Sequence, residues 1–510
     1  MGILPYLLLS LNLLAIRQVP AGTPIHIRLT TAVGSYASRV GTPVGALLIA
    51  PVMVDGKVVL PAGSIVSGTV KMVARVGFGI RHETAALNLE FNRVTLPNGA
   101  LIPVSTQVAE VDNAREHVTC NGRIQALRAT DSGCYRISGY VRTVLLHCEL
   151  HAALADWLIK SLAVKVPEPE LYFPAGSELT LTLSAPLLST PYLEAEPVTP
   201  ELPDGEREDL HRMVAAMPDR TYASTLRRPS DLTNVLLIGS HDRIAAAFTA
   251  AGWAEARPAS FGRRVRWLRA VGERQPFGSA PMSSLLLNGA EPDMSWEKGL
   301  NDVSKRHHIR LWKQPGAWQG QEFWIGAATR DVNFAYLRPG RPFTHEIATD
   351  VDLERDKIAY DLAFTSCASI LDWADRPAVP RASQNATGDA MTTDTGLVVV
   401  QLNDCSRPRL STETVDETPV PMHGSSLQRF ARREILSARS DLLRRNWYYR
   451  GYEAVRYIVI SARQHQRPGT VLSALFASLR GSSLQDPEIA VVPKSAHNVA
   501  QQTPGPNLTN

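Results

Sequence analysis

Cysteine is scarce in this chain, and none of it is closely paired. The five cysteines, Cys120, Cys134, Cys148, Cys367 and Cys405, are scattered through 510 residues. Without a C-x-x-C pair, a ribbon-type structural zinc is excluded. In an oxidising compartment Cys120–Cys134 and Cys367–Cys405 are the local pairings and Cys148 is left over. In a reducing one, five buried thiols are equally ordinary. Phosphate-cradling glycine loops are missing, since neither G-x-G-x-x-G nor G-x-x-x-x-G-K occurs. An excess of one charge is missing too. Residues 1–200 carry 15 basic and 14 acidic side chains, and the whole chain nets only +4. Binding a polyanion by counterion release needs a clustered cationic surface, so nucleic acid is not an expected partner.

Long apolar runs are also lacking. Residues 1–16 are uncharged, but their apolar core, 4–15, falls short of the roughly 20 residues that span a bilayer. That length suits the hydrophobic region of a secretory signal, so residues 1–18 read as a signal-like segment and the protein as exported, periplasmic or envelope-associated. The next candidate, 152–166, is interrupted by Asp156, Lys160 and Lys165.

What the chain does have is average globular composition, 44% hydrophobic and 20% charged, over a length that calls for two to four domains at about 100–200 residues each. Residues 19–190 read as all-β, a barrel or sandwich. A Pro-Ala-Gly-Ser/Thr turn occurs at 20–23, 61–64 and 174–177, with Pro presetting φ and Gly supplying a positive one. The first and third turns open alternating runs. Ile25, Ile27 and Leu29 share one face, with His26, Arg28 and Thr30 on the wet one; Leu179, Leu181 and Leu183 repeat the pattern. Asp55-Gly56 and Pro97-Asn98-Gly99 mark hairpins. Residues 149–164 have helical spacing and are placed as a cap on the barrel.

Residues 191–220, rich in proline and acid, read as a linker. From 221 to 480 the pattern becomes α/β (α+β). NVLLIGS is a strand, and a helix follows from Asp242 to Gly252 with Ile244, Ala245, Phe248 and Ala251 as its apolar positions. Strands are expected at 307–312 and 322–329. A second helix is expected from Asp350 with Leu353, Ile358 and Leu362 inward, and a basic helix at 426–446. Residues 481–510 read as a disordered tail.

The segments PAGTPIHIRL, LPAGSIVSGTV and LEFNRVTLPNGALIPV resemble, in that order, the β-barrel domain of the TrbI-like family of type IV secretion envelope proteins. Residues 220–415 resemble the C-terminal domain family named after LssY, a component of a type I secretion locus. The carrying motifs are DLTNVLLIGSHDRIAAAFTAAGWAEA, RHHIRLW, FWIGAATRDV and THEIATDVDLERDKIAYDL. That domain usually follows membrane segments of DedA or lipid-phosphatase type. Here a β-domain takes their place, so the resemblance implies a secretion or membrane-lipid context but no phosphatase activity.

For chemistry, one constellation stands out: His307, His308, His345, Asp350, Asp352, Glu354 and Asp356. On a strand, His307 and His308 point to opposite faces, so His307 reads as a core histidine and His308 as a ligand candidate. His308, His345 and Asp350 could meet at a divalent metal such as Zn or Mn, which would activate water for hydrolysis. Otherwise Thr349 or Asp350 caps the helix, Asp352, Glu354 and Asp356 favour its N-terminal dipole, and Arg355 and Lys357 make exposed pairs. Cys367 reads as a buried helix cysteine. Arg263–Arg269 and the arginines of 429–450, with Trp447, Tyr448, Tyr449 and Tyr452, outline basic-aromatic faces. Such faces suit anionic lipid headgroups, or arginine stems laid over a core. Three functions are expected in order: an envelope docking module for a protein or membrane partner, a metal-dependent hydrolase of phosphoester or lipid-derived substrates, and a peripheral anionic-lipid binder.

Overall fold

The computed structural model describes residues 18–127 (except 55–56, 79–81 and 83), 168–188, 199, 202–256 (except 225), 282 and 285–406 (except 303 and 339–340). It also describes a few positions between 425 and 458. The signal-like segment, the helix at 149–164, the first part of the linker, Cys134, Cys148, Arg263–Arg269, most of the basic helix and the tail lie outside the described residues.

The N-terminal sheet is built from β1 (Pro24–Leu29), β2 (Pro43–Leu48), β3 (Ile65–Ala74), β4 (Ala86–Thr95), β5 (Thr106–Val111), β6 (Arg123–Gln125) and β7 (Glu178–Leu183). Their order is β5-β7-β1-β2-β3-β4-β6, and the short strands Leu101–Pro103 and His117–Val118 extend it to nine. The sheet curls until its ends meet. Val104 N–H donates to Asn92 O at 3.1 Å and Thr106 Oγ1 to Phe91 O at 2.7 Å, leaving a nearly closed barrel. Closure removes most of the exposed edge that an open sheet would present. Ile25, Ile27, Leu29, Leu179, Leu181 and Leu183 point into the core with the expected period.

The three Pro-Ala-Gly turns do the same job at three places. Gly22, Gly63 and Gly176 have φ of 89°, 86° and 91°. Each donates its N–H at 2.7 Å across the sheet, to Leu183 O, Leu48 O and Leu29 O. The strands flanking the expected turns pair, Val52–Val54 with Lys57–Leu60 and β4 with Leu101–Pro103; Asp55 and Gly56 themselves lie outside the described residues.

The acidic segment runs into a helix, α1 (Asp204–Ala215), which buries Leu210 and Val214. After the hairpin β8 (Arg220–Ala223) and β9 (Arg228–Leu232) come β10 (Val235–Ile238), α2 (His241–Ala250), β11 (Met294–Lys298), β12 (Arg306–Lys313), β13 (Phe323–Arg338), β14 (Arg341–Ile347), α3 (Asp352–Phe364), β15 (Ala368–Asp375) and β16 (Gly396–Leu402). The second large sheet has the order β11-β12-β13-β10-β16-β15, with β14 on β13 and Ala254–Glu255 on β11. Among the described strand pairs of this sheet, β10 and β16 alone run parallel, Val235 opposite Val398. Ile244, Phe248, Ile358 and Leu362 cover one face of this sheet, and Leu210 and Val214 cover the other. Helices on both faces explain why β10 is apolar throughout rather than alternating. Ser240 caps α2, accepting from Arg243 N–H at 3.4 Å.

Two expectations about α3 need correcting. Leu353 is 66% exposed, because the helix begins at Asp352 and its buried stripe runs through Glu354, Arg355, Ile358 and Asp361. Arg355 and Lys357 are not exposed pairs. Arg355 is buried against Asp352, Asp356 and Asp394, and Lys357 lies in a buried network described below.

Candidate functional site

Strand β12 is buried on both faces, and its two sides carry different polar clusters. On the even face, His308 Nε2 lies 2.7 Å from Asp331 Oδ2, and His345 Nδ1 approaches the same oxygen at 3.1 Å. Arg306 pairs with Glu297 at 3.1 Å and Arg310 with Asp231 at 3.6 Å. Burial lifts the Asp231 carboxyl, and the Arg310 charge only partly offsets it. Burial also pushes at Asp331, but the two histidines outweigh it and hold that carboxyl low; His345 is pushed down chiefly by its own burial.

Two of the three candidate metal ligands, His308 and His345, are therefore brought together, with Asp331 between them. Asp350 sits elsewhere: its Oδ1 accepts from Asp352 N–H at 3.0 Å where α3 starts. Among the described residues no group of three or more His, Cys, Asp or Glu side chains is disposed to hold a metal ion.

The odd face holds the larger cluster. His307, 1% exposed, contacts carboxylates through both ring nitrogens: Nε2 to Asp112 Oδ2 at 2.8 Å and Nδ1 to Glu354 Oε2 at 2.6 Å. Asp112 also takes Arg330 Nη2 at 3.0 Å and Lys357 Nζ at 3.6 Å, and Arg330 reaches Glu110 at 2.5 Å. Lys357 continues to Glu178, and Glu178 Oε1 takes Arg28 Nη2 at 2.6 Å and Lys298 Nζ at 2.7 Å. Lys298 bridges onward to Asp361 Oδ2 at 2.9 Å, which also accepts from Trp253 Nε1 at 3.0 Å.

This cluster joins the two sheets. Arg28, Glu110, Asp112 and Glu178 come from barrel strands or the residue following one; Lys298, His307, Arg330, Glu354, Lys357 and Asp361 come from the second domain. Five carboxylates meet five cations once His307 is protonated. The shifts agree with that state. Burial disfavours the imidazolium, yet Asp112 and Glu354 more than reverse this and raise its pKa. Burial likewise opposes ionisation of Asp112, Glu178 and Asp361. His307 and Lys357 around Asp112, and the lysines around the other two, hold all three carboxyls low.

Sequence reading placed Arg28 on a wet face, but it is 2% exposed. Alternation identifies which residues share a face of the barrel, and the second domain then covers that face. A further link comes from the C-terminal basic region. Arg432 donates to Gly77 O at 2.7 Å and pairs with Glu168 at 2.6 Å and Glu170 at 3.2 Å, so this arginine serves the barrel.

Cys367 lies just past α3 rather than within it, and forms a disulfide with Cys405, Cα to Cα 4.6 Å. Cys120 is exposed. No described helix is long and apolar enough to cross a membrane.

Fold and site together define a two-domain protein, a nearly closed β-barrel keyed by buried charge onto a helix-flanked mixed sheet. Residues 214–397, the core of that second domain, match the family model of the LssY C-terminus, so this half is LssY-like as its motifs imply. Among solved structures, ComB10 of the Com type IV secretion system of Helicobacter pylori matches at 14% identity. The match covers 34% of this chain and 90% of that one, with a TM-score of 0.20. A comparison with curated proteins finds no match.

Proposed function

We propose that this protein is an exported, cell-envelope binding unit in which the barrel and the LssY-like domain act as one rigid body that docks a partner. The observation that carries this reading is the interdomain network. Its ten charged groups are spent on one another, which is the arrangement expected of a structural joint rather than of a reactive centre. The Cys367–Cys405 disulfide supports an oxidising compartment. The partner is an envelope protein or a membrane surface, and the near-neutral net charge of +4 gives no support to nucleic acid.

The test is fractionation combined with thiol labelling under denaturing conditions. The reading expects the protein in the envelope fraction with Cys367 and Cys405 protected from alkylation. Cytosolic protein with both thiols modified overturns it.

A metal-dependent hydrolase using His308, His345 and Asp350 has less support, because the Asp350 carboxylate is engaged at the start of α3. Elemental analysis of protein equilibrated with zinc or manganese separates the two readings. A stoichiometric metal lost in His308→Ala favours the hydrolase.

A further inference from the structure

At the carboxyl ends of the parallel pair β10 and β16 lies an open cleft of about 450 Å³. The carboxyl ends of parallel strands are where α/β sheets bind ligands, one such pair is present, and the volume is of ligand size. Trp318 and Gln321 enter from a tight turn closed on itself, with Trp318 N–H to Gln321 O and Gln321 N–H to Trp318 O both at 2.9 Å. Gln319 and Gly320 between them have φ of 49° and 75°, so the turn is a two-residue loop of the kind that fixes its flanking positions.

The polar lining is pre-oriented. Gln401 spends its amide nitrogen on Gln321 Oε1 at 2.8 Å and more weakly on Ile238 O and Leu402 O, both at 3.4 Å. That leaves Gln321 Nε2 as a donor beside Gln401 Oε1 as an acceptor. Asn403 gives its amide to Ser369 Oγ at 2.9 Å and its backbone N–H to Cys367 O at 2.8 Å, leaving Oδ1 as an acceptor. Arg243 brings one positive charge, and the exposed Glu206 and Asp404 bring two negative ones, with Glu206 accepting from Gln319 Nε2 at 2.9 Å.

We infer that this cleft binds a neutral glycan through at least one pyranose ring. A sugar ring offers an apolar C–H face to an indole and vicinal hydroxyls that each donate and accept. The cleft offers one indole and neighbouring amide donors and acceptors. Two acids against one arginine disfavour a phosphate or a polyanion, and the open mouth disfavours a small enclosed apolar ligand. Amides already fixed by intramolecular hydrogen bonds lose little freedom on binding. The inference deepens the binding-unit reading by naming a ligand class, and it stands or falls separately. An envelope protein indifferent to sugars refutes the glycan alone, and a sugar-binding cytosolic protein refutes the envelope alone.

The experiment is calorimetric titration of the full-length protein with chitotriose, cellotriose and maltotriose. Saturable binding of at least one is expected, weakened about tenfold or more by Trp318→Ala, as for an aromatic anchor. Because Trp318 also packs on the core, Gln321→Ala and Gln401→Ala are run alongside, with thermal midpoints recorded. Both should weaken binding while the midpoint holds. Absence of binding to all three sugars, or binding untouched by the three substitutions, overturns the inference.

Discussion

His307 of the second domain and Asp112 at the end of a barrel strand meet at 2.8 Å, with Glu354 closing the other side of the imidazole at 2.6 Å. A cation held between two buried acids is costly to delete, because the acids stay behind. His307→Ala is expected to lower unfolding stability by about 3–5 kcal/mol, the range for breaking a buried pair from one side. Glu354 is the group left exposed to that penalty, whereas Asp112 retains Arg330 and Lys357. Adding Glu354→Leu to His307→Leu removes both partners and should recover much of the loss. Urea denaturation of the single and double variants checks this; a single-variant cost under about 1 kcal/mol would match an exposed pair and contradict the burial argument.

The same histidine sets a pH dependence. Its folded pKa is raised above the ordinary 6.5, so its stabilising contribution is complete below 6.5 and is lost as pH rises through the folded value. Asp112, Glu178 and Asp361 are held low, so theirs is complete above the ordinary 3.8–4.5 range and is lost as pH falls through the depressed values. His345, pushed down chiefly by burial, acts in the opposite sense to His307 and costs stability below 6.5. The informative quantity is therefore the difference in thermal midpoint between wild type and His307→Gln. That difference should be largest on the acid side of 6.5 and shrink toward alkaline pH. A pH-independent difference would exclude an imidazolium at this position.

Glu178 is the acceptor shared by Arg28, Lys298 and Lys357. Glu178→Gln removes the charge that buried Arg28 and partly buried Lys298 and Lys357 have in common and should cost several kcal/mol, on the order of the 3–5 expected for a one-sided break. Lys71→Ala breaks a pair with Glu90 whose side chains are 58% and 43% exposed, and there a change of about 0–1 kcal/mol is expected. The distances are similar, so the comparison sets a buried, shared carboxylate against a single exposed pair. Equal effects in equilibrium denaturation would remove the network's claim to hold the domains together.

Much of the architecture is legible in residue periodicity. The three Pro-Ala-Gly turns, the inward Ile25, Ile27 and Leu29, the capped helix after NVLLIGS, and the opposite facing of His307 and His308 all follow from local geometry. The joint is not, because alternation says which side chains share a face and nothing about what covers it. Arg28 and Glu178 face each other across β1 and β7 and look solvated until the second domain is laid over them. One signal was available in α3. Glu354, Lys357 and Asp361 fall at i, i+3 and i+7 beside Ile358 and Leu362, a charged strip running along the apolar stripe. The site residues divide in the same way. His308 and His345 converge because β12 and β14 both pair with β13, and Asp331 on that shared strand, not Asp350 in the loop before α3, lies between them.

The Cys367–Cys405 disulfide joins residues 38 apart in sequence across β15 and β16, so it ties the end of α3 to the chain just past the carboxyl end of β16. In the chain-entropy account a loop of this length is worth about 4 kcal/mol, most of it exerted on the unfolded chain. Cys405→Ser, or reduction of the wild type, should therefore lower the thermal midpoint by several degrees without changing the far-ultraviolet spectrum at 25 °C. Asn403, whose N–H donates to Cys367 O, sits two residues from the bridge, so the rim of the cleft should loosen first. Hydrogen exchange at 403–405 would then accelerate under reductant while exchange in β12 and β13 stays slow. If reductant shifts neither the midpoint nor that exchange, the bridge does not form in the native protein, and the oxidising-compartment argument for export loses its support.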